Sequence, residues 1–362
     1  MIVEGRGRVP ESRWQRAIDQ VAAVNPGTRL RWVGSRRRAC WRSDGMPPRL
    51  RMVAGSTWDA RSDAGSEFLA ERPLSLSPGP NVELIVAESG EQTRLIMHGL
   101  HAVMDGGGGF HFLHELFRAM RGEPLLGTNG AFSDTDLMRS TGARHTTSKG
   151  ARTTWLTGPP QGNEPGDTWR RMTIKGPRRD LLATIAVSAA DFMHRHSNLP
   201  AVIAVPVDLR RHAPGLLSTQ TLSSMLLVRL ETGEGIEDFK RKLAHMLEQK
   251  METVFPPIID LAKFLPLSWI DSLLSRRQPW HPPRRPPPHT MLVTNLGKHN
   301  ARDFSCAEFQ AETLFAPPVQ ANTMCVLGAM GDNIEVVIGM PRSLASNGRL
   351  EEFLRYVEMR LG

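Results

Sequence analysis

Hydrophobic residues recur at the spacing of a helix in five segments of the chain. In the first, Trp14, Ala17, Ile18 and Val21 occupy positions i, i+3, i+4 and i+7, so they share one face of a helix. This helix is predicted to begin near Pro10, because the first helical turn tolerates a residue without an N–H. The same pattern predicts helices over residues 110–121, 180–193, 236–251 and 350–361.

Short runs of apolar and β-branched residues between turn residues predict strands. Runs at residues 82–87 and 93–97 flank Ser89-Gly90, which predicts a β-hairpin. Further strands are predicted over residues 30–33, 40–42, 169–174, 201–207, 225–230, 291–295, 324–329 and 334–339. Helices and strands interleave along the chain, so a mixed α/β fold with mixed sheets is predicted.

The hydrophobic pattern weakens over residues 127–167, where Gly, Thr, Ser and Pro dominate. Such a composition is typical of an ordered crossover or a flexible linker. We therefore predict an N-terminal lobe over residues 1–126, a connection over 127–167 and a C-terminal lobe over 168–362. Residues 276–289 contain six prolines and four arginines, which predicts a stiff surface loop.

The composition narrows the classes of partner. A formal net charge of +8 favours anionic partners such as nucleic acid, a phosphate-bearing cofactor, an acidic protein or a membrane surface. Because no aromatic-rich basic repeat or zinc-finger spacing accompanies the charge, we do not expect nucleic-acid binding. The most hydrophobic stretch, residues 258–274, is interrupted by two Asp, one Lys and one Pro. We therefore expect no membrane span.

Cysteine usage indicates the compartment. Cys40, Cys306 and Cys325 are widely separated and form no C-x-x-C pair, a pattern that favours a reducing environment over a disulfide framework. Residues 1–10 lack the apolar core of a secretory signal. We therefore expect a cytoplasmic protein, and we expect it to be a monomer.

Four of the twelve histidines, His98, His101, His111 and His114, lie within seventeen positions. They could be ordinary loop and helix-surface residues. Two H-x-x-H spacings with Asp105 between them could instead form a metal site. A strand end does not converge such side chains as a helix does, and no cysteine motif supports a metal, so none is expected.

A third interpretation makes His101 a general base. A predicted strand ends at His101 and a helix follows after Asp105 and a run of glycines that includes Gly106 and Gly107. Imidazole titrates near neutral pH and can take a proton from a hydroxyl or amine that attacks a carbonyl. Asp105 can hold the shape of the loop. The glycines are expected to permit positive φ and to let backbone approach a ligand closely.

Several segments carry a resemblance to a known superfamily. Residues 100–106 read LHAVMDG, which resembles the HHxxxDG motif of the condensation-domain and acyl-CoA-dependent acyltransferase superfamily, which includes chloramphenicol acetyltransferase. Residues 204–210 read AVPVDLR and resemble the "vPVDLR" strand of these proteins, and residues 293–297 read VTNLG and resemble their "vSNLG" segment. Residues 25–31 approximate an "hP-x-LR" stretch. These segments occur in the expected order over most of the chain.

The resemblance implies two chloramphenicol acetyltransferase-like lobes that form a V-shaped pseudo-dimer with a tunnel between them. It implies that His101 is the catalytic base and that Asp105, with Gly106, is structural and pairs with an arginine of the second lobe. Arg210 is the best candidate for that arginine by position, although Asp208 and Arg210 could also form a plain surface pair.

The implied donor is an acyl thioester of coenzyme A or of a carrier-protein phosphopantetheine arm, with no permanently bound cofactor. The implied acceptor is a small-molecule alcohol or amine. His98, Gly107 and Asn295 are added as candidate substrate-binding residues, although Asn295 with Gly297 could simply shape a turn.

The sequence departs from the family pattern at one motif position. Leu100 stands where the family has its first histidine, and His98 lies two residues earlier on the same side of the strand, where it could partly substitute. The chain is also shorter than most relatives. Despite these departures, the resemblance predicts an acyltransferase of secondary or lipid metabolism. Two alternatives remain: a non-catalytic relative that binds an acyl chain or carrier, and a hydrolase in which water replaces the alcohol.

Overall fold

Thirteen strands and seven α-helices organise the part of the chain that the structure, a computed structural model, describes: residues 1–34, 40–142, 152–254, 285–318 and 322–362. The strands are β1 (Ile2–Arg6), β2 (Arg31–Val33), β3 (Cys40–Arg42), β4 (Arg49–Ala54), β5 (Val82–Ser89), β6 (Gln92–Gly99), β7 (Asp167–Lys175), β8 (Ala201–Asp208), β9 (Ser223–Leu230), β10 (Met291–His299), β11 (Gln310–Phe315), β12 (Met324–Met330) and β13 (Asn333–Pro341). The helices are α1 (Glu11–Val24), α2 (Gly106–Arg121), α3 (Asp134–Ser140), α4 (Leu181–His194), α5 (Ile236–Glu248), α6 (Arg342–Ala345) and α7 (Arg349–Leu361).

The five predicted helices and the predicted strands are confirmed, with shifts of a few residues at their ends. The largest shifts are of four residues: β10 ends at His299 rather than at Asn295, and α2 begins at Gly106 rather than near Phe110, because the Asp105 side chain caps it. Three strands, β1, β4 and β11, were not predicted. The mixed α/β class with mixed sheets is confirmed.

The first sheet has the order β11-β1-β6-β5-β4. The β5–β6 hairpin and the β1 pairs are antiparallel, whereas β4 runs parallel to β5. Helices α1 and α2 pack together on one face, where Trp14 and Phe117 meet edge to face with ring centroids 6.0 Å apart. Burial of such large rings is a main source of stability for the first half of the molecule, meaning this sheet with α1 and α2.

The second sheet has the order β7-β13-β12-β10-β8-β9. Strand β10 runs parallel to both β12 and β8, and the other neighbours are antiparallel. Helices α4, α5 and α7 contribute to the apolar core of this half. The parallel pairing of β10 with β8 is short: it joins only Met291 to Ile203 and Leu292 to Ala204. Beyond these residues the two strands part.

The two sheets share a buried seam. Arg171 donates to Glu335 of the second sheet at 2.7 Å and to Glu4 of the first at 2.6 Å. All three side chains are at most 8% exposed. Burial opposes the charge of Arg171, but the two carboxylates outweigh it and raise its pKa. Breaking such a pair from one side would leave an uncompensated buried charge, so the seam holds the halves together.

Strand β11 qualifies the predicted division into residues 1–126, 127–167 and 168–362. It comes from the C-terminal part of the sequence but pairs antiparallel with β1 at the edge of the first sheet. The preceding Phe304 and Phe309 are buried in the core of that same half. The boundaries themselves stay a prediction. A C-terminal unit over 168–362 would include β11, which belongs to the first sheet.

The described part of the connection at 127–167 contains helix α3 and is hydrogen-bonded to the second half. Ser133 and Asp136 form a reciprocal capping box at the start of α3. Asn129 donates its backbone N–H to the carbonyl of Leu217 and accepts the Leu217 N–H on its side chain, at 3.1 and 2.8 Å. Most of the proline-rich stretch at 276–289 lies outside the described residues. In the ranges that are described, no helix has the length and apolarity needed to cross a membrane.

Candidate active site

The site is built around the N-terminus of α2, where Asp105 is the N-cap residue. Its carboxylate accepts the N–H of Gly108 at 2.7 Å, which satisfies one of the free donors of the first turn. It also accepts the N–H of Leu222 at 2.7 Å and both terminal nitrogens of Arg210 at 3.2 and 3.1 Å. The side chain is 3% exposed. Asp105 therefore joins the start of α2 to two segments of the second half.

Arg210 lies in a 3₁₀ turn directly after β8. Besides Asp105 it donates to Asp208 at 3.0 Å and to the carbonyls of Ser218 and Gln220 at 3.2 and 2.6 Å. Burial opposes the charge of the guanidinium, but the Asp105 and Asp208 carboxylates outweigh it and raise the pKa of Arg210. The contact is thus the expected pair with Asp105, with Asp208 as a second, half-exposed partner.

The glycines after Asp105 do not form the turn that the sequence suggested. Residues 106–109 are the first turn of α2, and none of them has a positive φ. An added Cβ would lie 2.6 Å from Arg210 Nη1 at Gly107 and 2.3 Å from the Thr219 carbonyl oxygen at Gly108. The expectation of positive φ is therefore wrong. Glycine is needed here because the second half approaches the helix closely.

His101 lies in the turn between β6 and α2, and it is exposed. Val103 and Met104 close this turn by donating to the carbonyl of Leu100 at 2.9 and 3.1 Å. The hydroxyl of Thr221 donates to the carbonyl of His101 at 2.7 Å. Within the described ranges the imidazole ring makes no hydrogen bond. Both of its nitrogens are therefore available to a bound molecule.

His101 faces a cavity of about 420 Å³. This volume is in the range of small-molecule sites. The cavity opens where β8 and β10 part, so the carboxyl end of β8 and the first two thirds of β10 form part of its wall. Its other lining residues are Asp105, Gly106, Gly107, Phe110, Pro206, Val207, Asp208, Ser223, Ser224, Met225, Leu292, Thr294, Asn295, Leu296 and Met324.

The lining combines apolar walls with a few polar groups. Apolar side chains come from α2 and from strands of the second sheet, as with Phe110, Met225 and Met324. Hydroxyls come from Ser223 and Thr294 among others. Among the described residues that line the cavity there is no Lys or Arg. The two carboxylates that line it, those of Asp105 and Asp208, both pair with Arg210. The interior therefore fits a largely apolar group with a polar reacting centre.

Two further candidates differ in their placement. Asn295 lines the cavity, and its side chain also accepts the N–H of Gly297 at 2.9 Å, where Gly297 has a φ of +87°. It therefore shapes a turn and faces the site at once. His98 does not line this cavity. Its Nδ1 lies 3.9 Å from Glu83 on the neighbouring strand, and burial is the main cause of its lowered pKa.

The remaining clustered histidines do not converge. His111 Nε2 lies 3.0 Å from the carbonyl oxygen of Gly127, whereas the His114 ring packs on Phe304 with centroids 4.8 Å apart. Across the described ranges, no group of three or more His, Cys, Asp or Glu is arranged to hold a metal ion.

Sequence reasoning missed residues of the second half that complete the site. Thr221, which holds the His101 carbonyl, and the lining hydroxyls of Ser223 and Ser224 lie in and just after a loop without periodic signal. Thr294 lies inside the matched segment at 293–297 and could have been noted. Phe110 was placed on α2 but not in the site.

No family model matches the sequence, and no curated protein matches it significantly. Solved structures do match. A starter condensation domain of rhizomide synthetase in complex with C8-CoA gives a TM-score of 0.65 at 13% identity, over 99% of this chain and 87% of that one. The first condensation domain of the calcium-dependent antibiotic synthetase gives 0.63 at 16% identity, over 99% and 90%.

The chain has the condensation-domain fold. An epimerization domain of tyrocidine synthetase B gives a TM-score of 0.51 at 15% identity, over 100% of this chain and 92% of that one. Because domains named for condensation and for epimerization share the condensation-domain fold, the reaction has to be argued from the site.

Proposed function

We propose that this protein is an acyltransferase that moves an acyl group from a thioester to a hydroxyl or amine, with His101 as general base. The observation that carries the proposal is the placement of His101 in the lining of a largely apolar cavity, exposed and with no hydrogen bond to its ring from the described residues. The buried Asp105–Arg210 pair directly behind the same turn supports it. A V-shaped arrangement of two lobes with a tunnel between them is part of this proposal.

The chemistry follows from the groups at the cavity. The imidazole of His101 takes the proton of the acceptor hydroxyl or amine as its oxygen or nitrogen attacks the thioester carbonyl. The tetrahedral intermediate collapses by breaking the carbon–sulfur bond, and the imidazolium returns its proton to the departing thiolate. The lining hydroxyls of Ser223, Ser224 and Thr294 are the nearby donors available to the oxyanion. His101 thus ends the cycle in its starting state.

Donor and acceptor are proposed by class. The donor is an acyl thioester of coenzyme A or of a carrier-protein arm, and a structural neighbour was solved with C8-CoA bound. The acceptor is a small alcohol or amine. Gly106, Gly107 and Asn295 line the cavity that receives them, with Asp105 and Gly106 in structural roles and His98 outside the cavity.

Location and assembly are proposed from the cysteine usage and the resemblance. Cys40, Cys306 and Cys325 are all free thiols, which fits a reducing compartment. We therefore propose the cytoplasm as the location. We also propose that the protein is a monomer and that it acts in secondary or lipid metabolism.

Free-thiol release from acyl-CoA and acyl-carrier thioesters tests the proposal. We expect thiol release that depends on an added alcohol or amine and that falls by about 100-fold or more in His101→Ala, the scale of general-base catalysis. His98→Ala is the matched control, because its ring lies outside the cavity, and it is expected to retain turnover. Thiol release without any acceptor would favour the hydrolase. Acyl-carrier binding without turnover by the wild type would favour the non-catalytic relative.

A further inference from the structure

The loop of residues 218–222, here called the clamp loop, packs against the turn at His101 and the N-terminus of α2. The carbonyl of Gln220 accepts from Arg210, and the N–H of Leu222 donates to Asp105. The Thr219 carbonyl lies where only a glycine at position 108 leaves room for it. The clamp loop belongs to the second half, whereas the turn that carries the imidazole belongs to the first.

Thr221 is the member of the clamp loop that reaches His101 itself. Its hydroxyl donates to the His101 carbonyl at 2.7 Å, the usual distance for an O–H···O hydrogen bond. The turn closes on the carbonyl of Leu100 through Val103 and Met104, so these bonds fix the turn but not the peptide of His101. Within the described ranges the ring of His101 has no hydrogen-bond partner that could orient it.

We infer that Thr221 is a positioning residue for His101 and sets the placement of its imidazole in the cavity. This inference rests on the proposed function of His101 as general base. The hydroxyl anchors the peptide plane of the base to the half that supplies most of the cavity wall. Placement of the base then depends on the contact between the halves, because Thr221 lies just before the start of β9, which lines the cavity with Ser223, Ser224 and Met225.

The consequence for catalysis is a change in rate and not in binding. A base displaced by about 1 Å can cost on the order of 100-fold in rate. The hydroxyl of Thr221 donates to a backbone carbonyl, and Thr221 is not among the described residues that line the cavity. The affinity for the thioester is therefore not expected to depend on it. Loss of the hydroxyl is therefore expected to lower kcat and to leave KM nearly unchanged.

The experiment compares three variants of the full chain. Thr221→Val removes the hydroxyl at nearly constant shape, and Thr221→Ser keeps it. Thr157→Val is the matched control, because Thr157 also donates its hydroxyl to a distant carbonyl, that of Leu344, at 2.7 Å and away from the cavity. We expect kcat for thiol release to fall about 10- to 100-fold in Thr221→Val, with recovery in Thr221→Ser. The kcat of Thr157→Val is expected to stay near the wild-type value.

A second measurement reads the placement of His101 without turnover. The imidazole signals of His101, assigned in proton–carbon NMR spectra by their loss in His101→Ala, are expected to shift in Thr221→Val and to stay in place in Thr157→Val. Unchanged signals in Thr221→Val would overturn the inference, as would equal kcat losses in the Val and Ser variants. If the wild type shows no turnover, the proposed function fails while the NMR comparison still decides the role of Thr221.

Discussion

Replacing Arg210 by Ala removes the counter-charge of a buried carboxylate. The Asp105 side chain is 3% exposed and that of Arg210 13%. After the substitution Asp105 keeps the N–H groups of Gly108 and Leu222 as donors but has no cation. Removal of one partner of a buried pair costs about 3–5 kcal/mol of unfolding free energy. We expect Arg210→Ala to lose an amount in this range.

Replacing the other partner, Asp105, by Asn is expected to cost less unfolding free energy. Asp105→Asn removes the charge but keeps an oxygen for the Gly108 N–H, and Asn caps helices about as well as Asp. Arg210 would still donate to Asp208 and to the carbonyls of Ser218 and Gln220. The amide nitrogen of Asn cannot replace Oδ2, which accepts from the Leu222 N–H and from Arg210 Nη1. Because Arg210 Nη1 keeps Asp208, the main loss is the buried Leu222 N–H left without an acceptor, about 1–3 kcal/mol.

A double-mutant cycle tests this reasoning. Urea unfolding at pH 7, followed by circular dichroism and tryptophan fluorescence, gives the free energies of wild type, Arg210→Ala, Asp105→Asn and the double variant. Arg210→Ala is expected to cost about 1–3 kcal/mol less in the Asp105→Asn background, because no buried charge is left unpaired there. Additivity within about 0.5 kcal/mol would refute the pairing as an energetic unit. Arg241→Ala breaks a well-exposed pair with Asp238 and is the control, with little loss expected.

Three further predictions concern the cavity, the glycines and a perturbed carboxyl. Phe110 lines the cavity and stacks on His299 with centroids 4.1 Å apart, so Phe110→Ala is expected to raise kcat/KM for longer acyl donors relative to shorter ones in a chain-length series. An unchanged preference would contradict this. Gly107→Ala would crowd Arg210 and is expected to lower Tm, whereas Gly106→Ala, where the nearest atom would lie 3.9 Å away, is expected to leave it unchanged. Burial raises the pKa of Asp167 to about 6, with Arg342 opposing. Because this folded-state pKa exceeds the unfolded one, the Asp167 carboxyl lowers the stability of the fold as pH rises from about 4 to above 6. Asp167→Asn is therefore expected to stabilise the protein by about 1–3 kcal/mol at pH 7.5 and by little at pH 4, as measured by urea unfolding.

The missed strands show where sequence patterns fail. In β4, Arg49 and Arg51 interrupt the apolar run, yet both donate to the fully buried Glu83 on β5. Their burial depends on a partner more than thirty positions away, which no local pattern reveals. Strand β11 was missed for a similar reason, because its place beside β1 follows from the path of the chain between the halves. Long, periodic segments such as α1 were predicted because their burial is decided locally.

The site was predictable to the extent that its residues belong to recognisable segments. His101, Asp105 and Arg210 were found in matched segments, and the structure brings Asp105 and Arg210 together. The glycines were assigned to the correct place for the wrong reason. Their backbone preference suggests a turn, whereas they begin a helix, in which the second half leaves no room for a Cβ at Gly107 or Gly108. No local sequence pattern marks Thr221, because the contact that singles it out is with His101, 120 positions earlier in the chain.

The leucine in the motif bears on whether His101 can act alone. Leu100 stands where the HHxxxDG motif that residues 100–106 resemble has its first histidine, and its side chain packs against the core of the first half. The turn uses the backbone of this residue instead: Leu100 donates its N–H to the Asn81 carbonyl at 3.0 Å, and its own carbonyl accepts from Val103 and Met104. Any residue other than proline can make these bonds. A leucine therefore keeps the turn in shape and adds apolar burial beneath it, so the absence of the first histidine does not by itself displace His101 from the cavity.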